Sequence, residues 1–364
     1  MSVRYNVSAP VRSPKNELDF GSDSSGSESS CYSSPSPYVN TNKQIVATKG
    51  KSESEIKKDL KQQQQNQQAF LNRQPTDLFF PNTKNYTFKS WRQFFPTSRV
   101  TLRSLVYNPA WDAFFDSIQH KKYYIGIEKI LSDCMLVENI VPFPELLFNS
   151  LNILSPKNIK GVFIGQDPYI QINRINNKEI PQAMGSSFSV PLYYPKPPSL
   201  ANIYKNLVEF GHMKNIPESG CLSMWILQGC LMINSALTTI QGNSAAHQNL
   251  WVDFTQDLLR YINDTCHNLF FVAWGSKAHG LCMNIDCDKH YIITSSHPSP
   301  MGMTYANPMK GLSYARNKAI KTNKNNRETQ LQVTYDAFKN VDHFGKINSY
   351  LTSIGKKTIL WDVI

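Results

Sequence analysis

Four short apolar runs set the rhythm of the chain. Val162 to Ile164 stops at Gly165-Gln166-Asp167-Pro168, and Cys230 to Ile233 stops at Asn234. Leu269 to Val272 leads to Trp274-Gly275-Ser276, and Tyr291 to Ile293 leads through Ser295 and Ser296 to His297-Pro298-Ser299-Pro300. Apolar runs of this length, closed by Gly, Pro, Asn and Ser, read as buried strands that end in turns. Between them apolar residues recur at helical spacing, as in Leu200, Ile203, Tyr204, Leu207 and Val208 ahead of Gly211, then Trp251, Phe254, Leu258, Tyr261 and Ile262. Strand and helix in alternation predict an α/β fold with a central four-stranded parallel sheet flanked by helices. Ligands bind such sheets beyond the carboxyl ends of the strands. Asp167, Asn234, Ser276 and His297 are therefore expected around one cleft.

Upstream, Trp111, Phe114, Phe115 and Ile118, then Tyr124, Ile127, Ile130 and Leu131, have helical spacing and are read as core. Val141-Pro142-Phe143-Pro144 breaks that pattern, and Glu145 to Leu151 supplies one more helix before the first strand. An aromatic-rich lead-in segment, residues 76–110, is expected to drape over the fold through Phe79, Phe80, Tyr86, Phe88, Trp91, Phe94 and Phe95. Residues 1–75 are different: Ser22 to Ser36 is Ser-rich and Gln62 to Gln68 is a polar low-complexity run. Such a segment buries too little apolar surface to offset chain entropy, so most of it is expected to be a disordered arm. Lys57 to Phe70 is the exception, with the makings of a short helix. The principal domain then occupies 111–364, with insertions near 170–183 and 302–342.

The 364 residues leave ample room for a core, and 38 Lys and Arg against 27 Asp and Glu give a net charge of +11. That balance favours a polyanionic partner. Six of the cations, Lys310, Arg316, Lys318, Lys321, Lys324 and Arg327, crowd residues 301–330 against one acid, Glu328. Seven cysteines, odd in number and partly inside apolar runs, read as reduced thiols of an intracellular protein. Neither a secretory leader nor an apolar run of spanning length is evident, so a soluble protein off the membrane is expected. His279, Cys282, Cys287 and His290 have a spacing loosely like a zinc site, but in no standard pattern, and no metal is expected.

Taken alone, Gly165-Gln166-Asp167-Pro168-Tyr169 is an ordinary turn composition. In order along the chain follow Gly185 to Phe188, Pro197-Pro198-Ser199-Leu200 to Tyr204, Asn234-Ser235-Ala236-Leu237-Thr238, Trp274-Gly275-Ser276 and His297-Pro298-Ser299-Pro300. This series resembles the family 1 uracil-DNA glycosylases motif by motif, from about Trp111 to the closing Gly355-Lys356-Lys357 and Trp361. The resemblance implies an enzyme that flips deoxyuridine out of DNA and hydrolyses its glycosidic bond, initiating base excision repair without a cofactor. It assigns catalysis to Asp167 and His297, and uracil binding to the Gln166 backbone, Tyr169, Phe188 and Asn234. Ser199, Ser276 and Ser299 would grip the DNA backbone, with Met301 as the apolar wedge. Partners implied are single- and double-stranded uracil-containing DNA, met by a monomer, together with a proteinaceous inhibitor or replication proteins. The compartment would be a nucleus or a viral replication site.

Three departures from the family stand out. Ile170 replaces the histidine that usually follows the tyrosine, the 170–183 loop is longer, and the basic insertion is far longer than usual. They keep a second reading open: a DNA-binding, replication-associated factor that retains the fold with weak catalysis. On either reading the basic loop, directly after the wedge, would add phosphate contacts along the DNA.

Overall fold

In the computed structural model, residues 52–72, 86–175, 177–192, 194–304, 308–309, 333–334 and 336–362 are described. The Ser-rich tract, the aromatics Phe79 and Phe80 and the interior of the basic insertion lie outside them. Helices in chain order are α1 (Glu53–Leu71), α2 (Trp91–Phe94), α3 (Asp112–Ile118), α4 (Lys122–Cys134), α5 (Asn149–Ile153), α6 (Pro198–Glu209), α7 (Ser223–Leu227), α8 (Val252–Thr265) and α9 (Gly275–Cys282), followed by the C-terminal helix His343–Ser353. The strands are β1 (Ile140–Val141), β2 (Gly161–Gly165), β3 (Ile172–Ile175), β4 (Lys178–Pro181), β5 (Cys230–Asn234), β6 (Thr239–Ile240), β7 (Phe270–Trp274), β8 (Tyr291–Ser295), β9 (Pro308–Met309) and β10 (Val333–Thr334).

The four apolar runs are β2, β5, β7 and β8, and they form one sheet in the order β5-β2-β7-β8. Every pairing in it is parallel, as the intervening helices require. Val162, Phe163 and Ile164 in β2 and all five residues of β7 are buried, the mark of central strands covered on both faces. The register sets Gly165 beside Asn234, Ile164 beside Ala273, and Trp274 beside Ser295. All four strands therefore release their loops at the same edge. Crossover helix α8 buries Phe254, Leu258, Leu259 and Ile262, and Phe254 stacks on Phe148 at 5.8 Å.

The short helix expected over Lys57 to Phe70 is present and longer at both ends. Helix α1 begins four residues before Lys57 and encloses the Gln62 to Gln68 run, started by a Ser52–Glu55 capping box. Gln and Lys are good helix formers, so polarity alone did not preclude a helix there. Its far end is held by Phe70, which lies edge-on to Phe94 at 6.1 Å and Tyr107 at 5.2 Å. The buried Asn66 amide donates to the Gln93 and Phe94 carbonyls at 2.7 and 3.2 Å. The lead-in aromatics Phe88, Trp91, Phe94 and Phe95 are core residues, and Trp91 Nε1 donates to the Pro142 carbonyl at 2.8 Å.

The insertions also have structure. Residues 170–183 contain the antiparallel hairpin of β3 and β4, in register from Ile172 opposite Pro181 to Ile175 opposite Lys178. In the second, β9 and β10 pair antiparallel and draw the two ends of the loop together. Its last residues belong to the core rather than to a solvated loop: Phe338 is fully buried, 5.1 Å from Trp274 and stacked on His343 at 4.6 Å. Aromatic burial of this kind outweighs the polar composition around it.

Candidate active site

The carboxyl edge of the sheet opens into a cleft of about 510 Å³ whose lining includes Gln166, Asp167, Tyr169, Phe188, Ser199, Asn234 and His297. Residues 131 positions apart in sequence thus share one cavity, because the parallel register delivers every strand end to the same edge. Gly165 makes the first close approach: a Cβ there would overlap Asn234 Oδ1 and stand 2.8 Å from Ser187 Cβ. After it the chain turns, and the Gln166 carbonyl accepts from the Ala236 N–H at 3.0 Å and the Ser235 hydroxyl at 2.6 Å. The β2 and β5 loops are therefore locked to each other.

Phe188 sits on a tight turn with φ of 63°, following Gly185 at φ 65°. A left-handed conformation is uncommon outside glycine and marks a constrained position. The turn is tied down by Ser187, whose N–H donates to the Met232 carbonyl and whose hydroxyl donates to the Phe163 carbonyl, both at 3.3 Å. So held, the Phe188 ring lies edge-on to Trp274 at 5.4 Å and 6.2 Å from the His297 ring. The Tyr169 hydroxyl donates to the Phe188 carbonyl at 3.3 Å, and burial raises the phenol's pKa well above its ordinary range, so it stays neutral.

His297 accepts the Ser299 N–H at Nδ1, 3.0 Å away. Burial lowers its pKa, with the nearby Asp167 carboxylate opposing in part. The ring is thus neutral at pH 7, and with Nδ1 accepting, its proton resides on Nε2. The loop that carries it is pinned from two sides. Asn202 on α6 donates to the Pro298 carbonyl at 2.8 Å, and the Ser296 hydroxyl accepts the Phe338 N–H at 2.7 Å.

Asp167 Oδ2 accepts from the Ser244 hydroxyl at 2.6 Å and from the Ala245 N–H at 2.9 Å. Neither donor was singled out from the sequence. Gly242-Asn243-Ser244 reads locally as a plain turn, and nothing near it points to a carboxylate 77 residues away. Ser276, Ser299 and Met301 are not among the residues that line the cleft. Ser276 is exposed at the start of α9, Ser299 accepts the Gly302 N–H at 3.3 Å, and Met301 is 83% exposed. Among the described residues no group of three or more His, Cys, Asp or Glu side chains is placed to hold a metal ion. His290 Nδ1 instead accepts the Leu269 N–H at 3.3 Å. None of the described helices is long and apolar enough to cross a membrane.

A family model of the uracil DNA glycosylase superfamily matches residues 152–321. The chain is 47% identical over 293 residues to a probable uracil-DNA glycosylase of Acanthamoeba polyphaga mimivirus, covering 80% of this chain and 75% of that one. It is 33% identical over 254 residues to the uracil-DNA glycosylase of Psychromonas ingrahamii, covering 69% of this chain and all of that one. The crystal structure of the mimivirus uracil-DNA glycosylase superposes with a TM-score of 0.71, covering 80% of this chain and 100% of the other. A variant of the mimivirus protein solved in complex with UGI superposes with a TM-score of 0.70.

Proposed function

The chain belongs to the uracil-DNA glycosylase superfamily and is a glycosylase that excises uracil from DNA; we propose that it does so with the residues gathered at the carboxyl edge of its sheet. The observation that supports this most is the meeting of Asp167, Asn234, Phe188, Tyr169 and His297 around one cleft. An extruded uracil would stack on Phe188 and present its edge to the Asn234 amide, which offers one acceptor and one donor to N3–H and O4. Cytosine carries the opposite pattern on those atoms. Tyr169 would fill the space next to C5 and exclude a thymine methyl, while the Gln166 N–H would bind O2.

Cleavage proceeds through an oxocarbenium-like sugar with a departing uracil anion. Asp167 would steer the attacking water and stabilise the sugar cation. His297 would donate its Nε2 proton in a hydrogen bond to O2 as negative charge builds there, a role that needs a neutral imidazole. Fixed groups aimed at developing charge are usually the largest contribution to catalysis. Ser199, Ser276 and Ser299 would hold phosphates on either side of the extruded nucleotide, and the exposed Met301 would enter the space left in the stack. No metal or cofactor takes part in these steps. The protein would act as a monomer on single- and double-stranded DNA, and a proteinaceous inhibitor would bind it as UGI binds the mimivirus relative.

Release of free uracil from a uracil-containing oligonucleotide tests the assignment. The parent is expected to release it, and Asp167→Asn is expected to lose roughly a thousandfold or more in rate. An unchanged rate in Asp167→Asn would remove the carboxylate from the mechanism.

A further inference from the structure

We propose that Ser244 and the Ala245 N–H act as a two-donor clamp that aims the Asp167 carboxylate, which makes Ser244 a positioning residue of the reaction. The inference rests on Asp167 having the catalytic role just described. Both donors reach the same oxygen, Oδ2, at 2.6 and 2.9 Å. Oδ1 receives no hydrogen bond from any described residue, so one oxygen is tied and the other is left to face the substrate. A carboxylate free to rotate would present either oxygen in many directions. Pinned at one, it offers a single direction of approach to water, and angular placement of that kind is worth large factors in rate.

The clamp is built rather than incidental. Ala245 adopts a left-handed φ of 62°, an uncommon state for alanine that depends on the surrounding structure to hold it. The segment around it is stitched to the fold at several points. The Gln241 N–H donates to the Asn139 carbonyl at 2.8 Å, and the Thr239 hydroxyl donates to the Asn243 carbonyl at 2.7 Å while accepting the Ala246 N–H at 3.3 Å. The Gly242 N–H donates to the Ile170 carbonyl at 3.0 Å. The same segment therefore grips the Asp167 turn both at its carboxylate and three residues further on. Ser244 also lines the cleft with Ile170. Its hydroxyl supplies polarity on a wall where Ile170 supplies none.

Single-turnover excision from a uracil-containing duplex by the full chain provides the test. Ser244→Ala is expected to lower the rate roughly ten- to hundredfold, the scale of one charge-assisted hydrogen bond, with KM and the thermal midpoint nearly unchanged. Ser244→Thr keeps the hydroxyl and is expected to recover most of that rate. In an Asp167→Ala background Ser244→Ala is expected to cost less than about twofold, because a residue that acts only through Asp167 has nothing left to position. If Asp167→Ala abolishes excision while Ser244→Ala retains the parental rate, the clamp is wrong and the catalytic assignment stands. Equal losses from Ser244→Ala with and without Asp167 would likewise overturn it. An Asp167→Ala protein with the parental rate would overturn both.

Discussion

Replacing Glu145 by glutamine is expected to change the pH dependence of stability by an amount that can be worked out beforehand. Glu145 is fully buried beneath the lead-in segment, where its Oε1 accepts from the Tyr86 hydroxyl at 3.1 Å and the Lys89 N–H at 3.0 Å. Burial raises its pKa from the ordinary 4.5 to about 7, with the hydrogen bonds and Lys89 opposing. Between those values the folded chain holds a proton that the unfolded chain has released. Stability from the neutral carboxyl is thus complete below about pH 4.5 and is lost as pH rises to about 7. The interval is equivalent to about 3 kcal/mol at most, of which about 2 to 3 falls between pH 5 and 8. Glutamine keeps an oxygen for both donors and never ionises. Urea unfolding followed by tryptophan fluorescence at pH 5, 6, 7 and 8 should show the variant gaining on the parent by about 1 M in midpoint across that range. His247 and His343, lowered by burial to about 4 and about 3, lose stability in the other direction as pH falls below 6.5. They are common to both proteins and cancel in the difference. A parent-to-variant gap that stays constant from pH 5 to 8 would refute the reasoning, since it would mean that Glu145 titrates alike in the folded and unfolded chains.

Gly165→Ala inserts a methyl where Asn234 Oδ1 and Ser187 Cβ already stand, so excision is expected to fall by about a hundredfold with a loss of only a few degrees in Tm; parental kinetics would show that the pocket yields without displacing Asn234. Replacing residues 310–332 with a short glycine linker between β9 and β10 removes six cations and one acid while sparing Phe338. The plot of log affinity for DNA against log salt is then expected to become shallower by about 0.9 for each phosphate that the insertion neutralises in the parent, and an unaltered slope would show that the insertion does not touch DNA.

Short-range order accounts for what the amino-acid sequence determined by itself. The apolar runs ending at Gly165, Asn234, Trp274 and Ser295 are local in character, and so are the turn residues and helical periodicities between them. They suffice for a parallel sheet with its candidate chemistry at one edge, and the motif series then named Gln166, Asp167, Tyr169, Phe188, Asn234 and His297. What required the tertiary structure involves pairs of groups distant along the chain. The Ser244 hydroxyl meets Asp167 across 77 residues, and the Asn66 amide meets the Phe94 carbonyl across 28. Phe338, within a stretch of mostly polar residues, fills a space shaped by Trp274 and His343. Composition cannot foresee such meetings, because a polar helix or a loop-like segment is retained or excluded by one or two anchors whose partners lie elsewhere. Propensity and periodicity arise between neighbours in sequence, whereas the aim of a carboxylate and the burial of an isolated aromatic arise between neighbours in space.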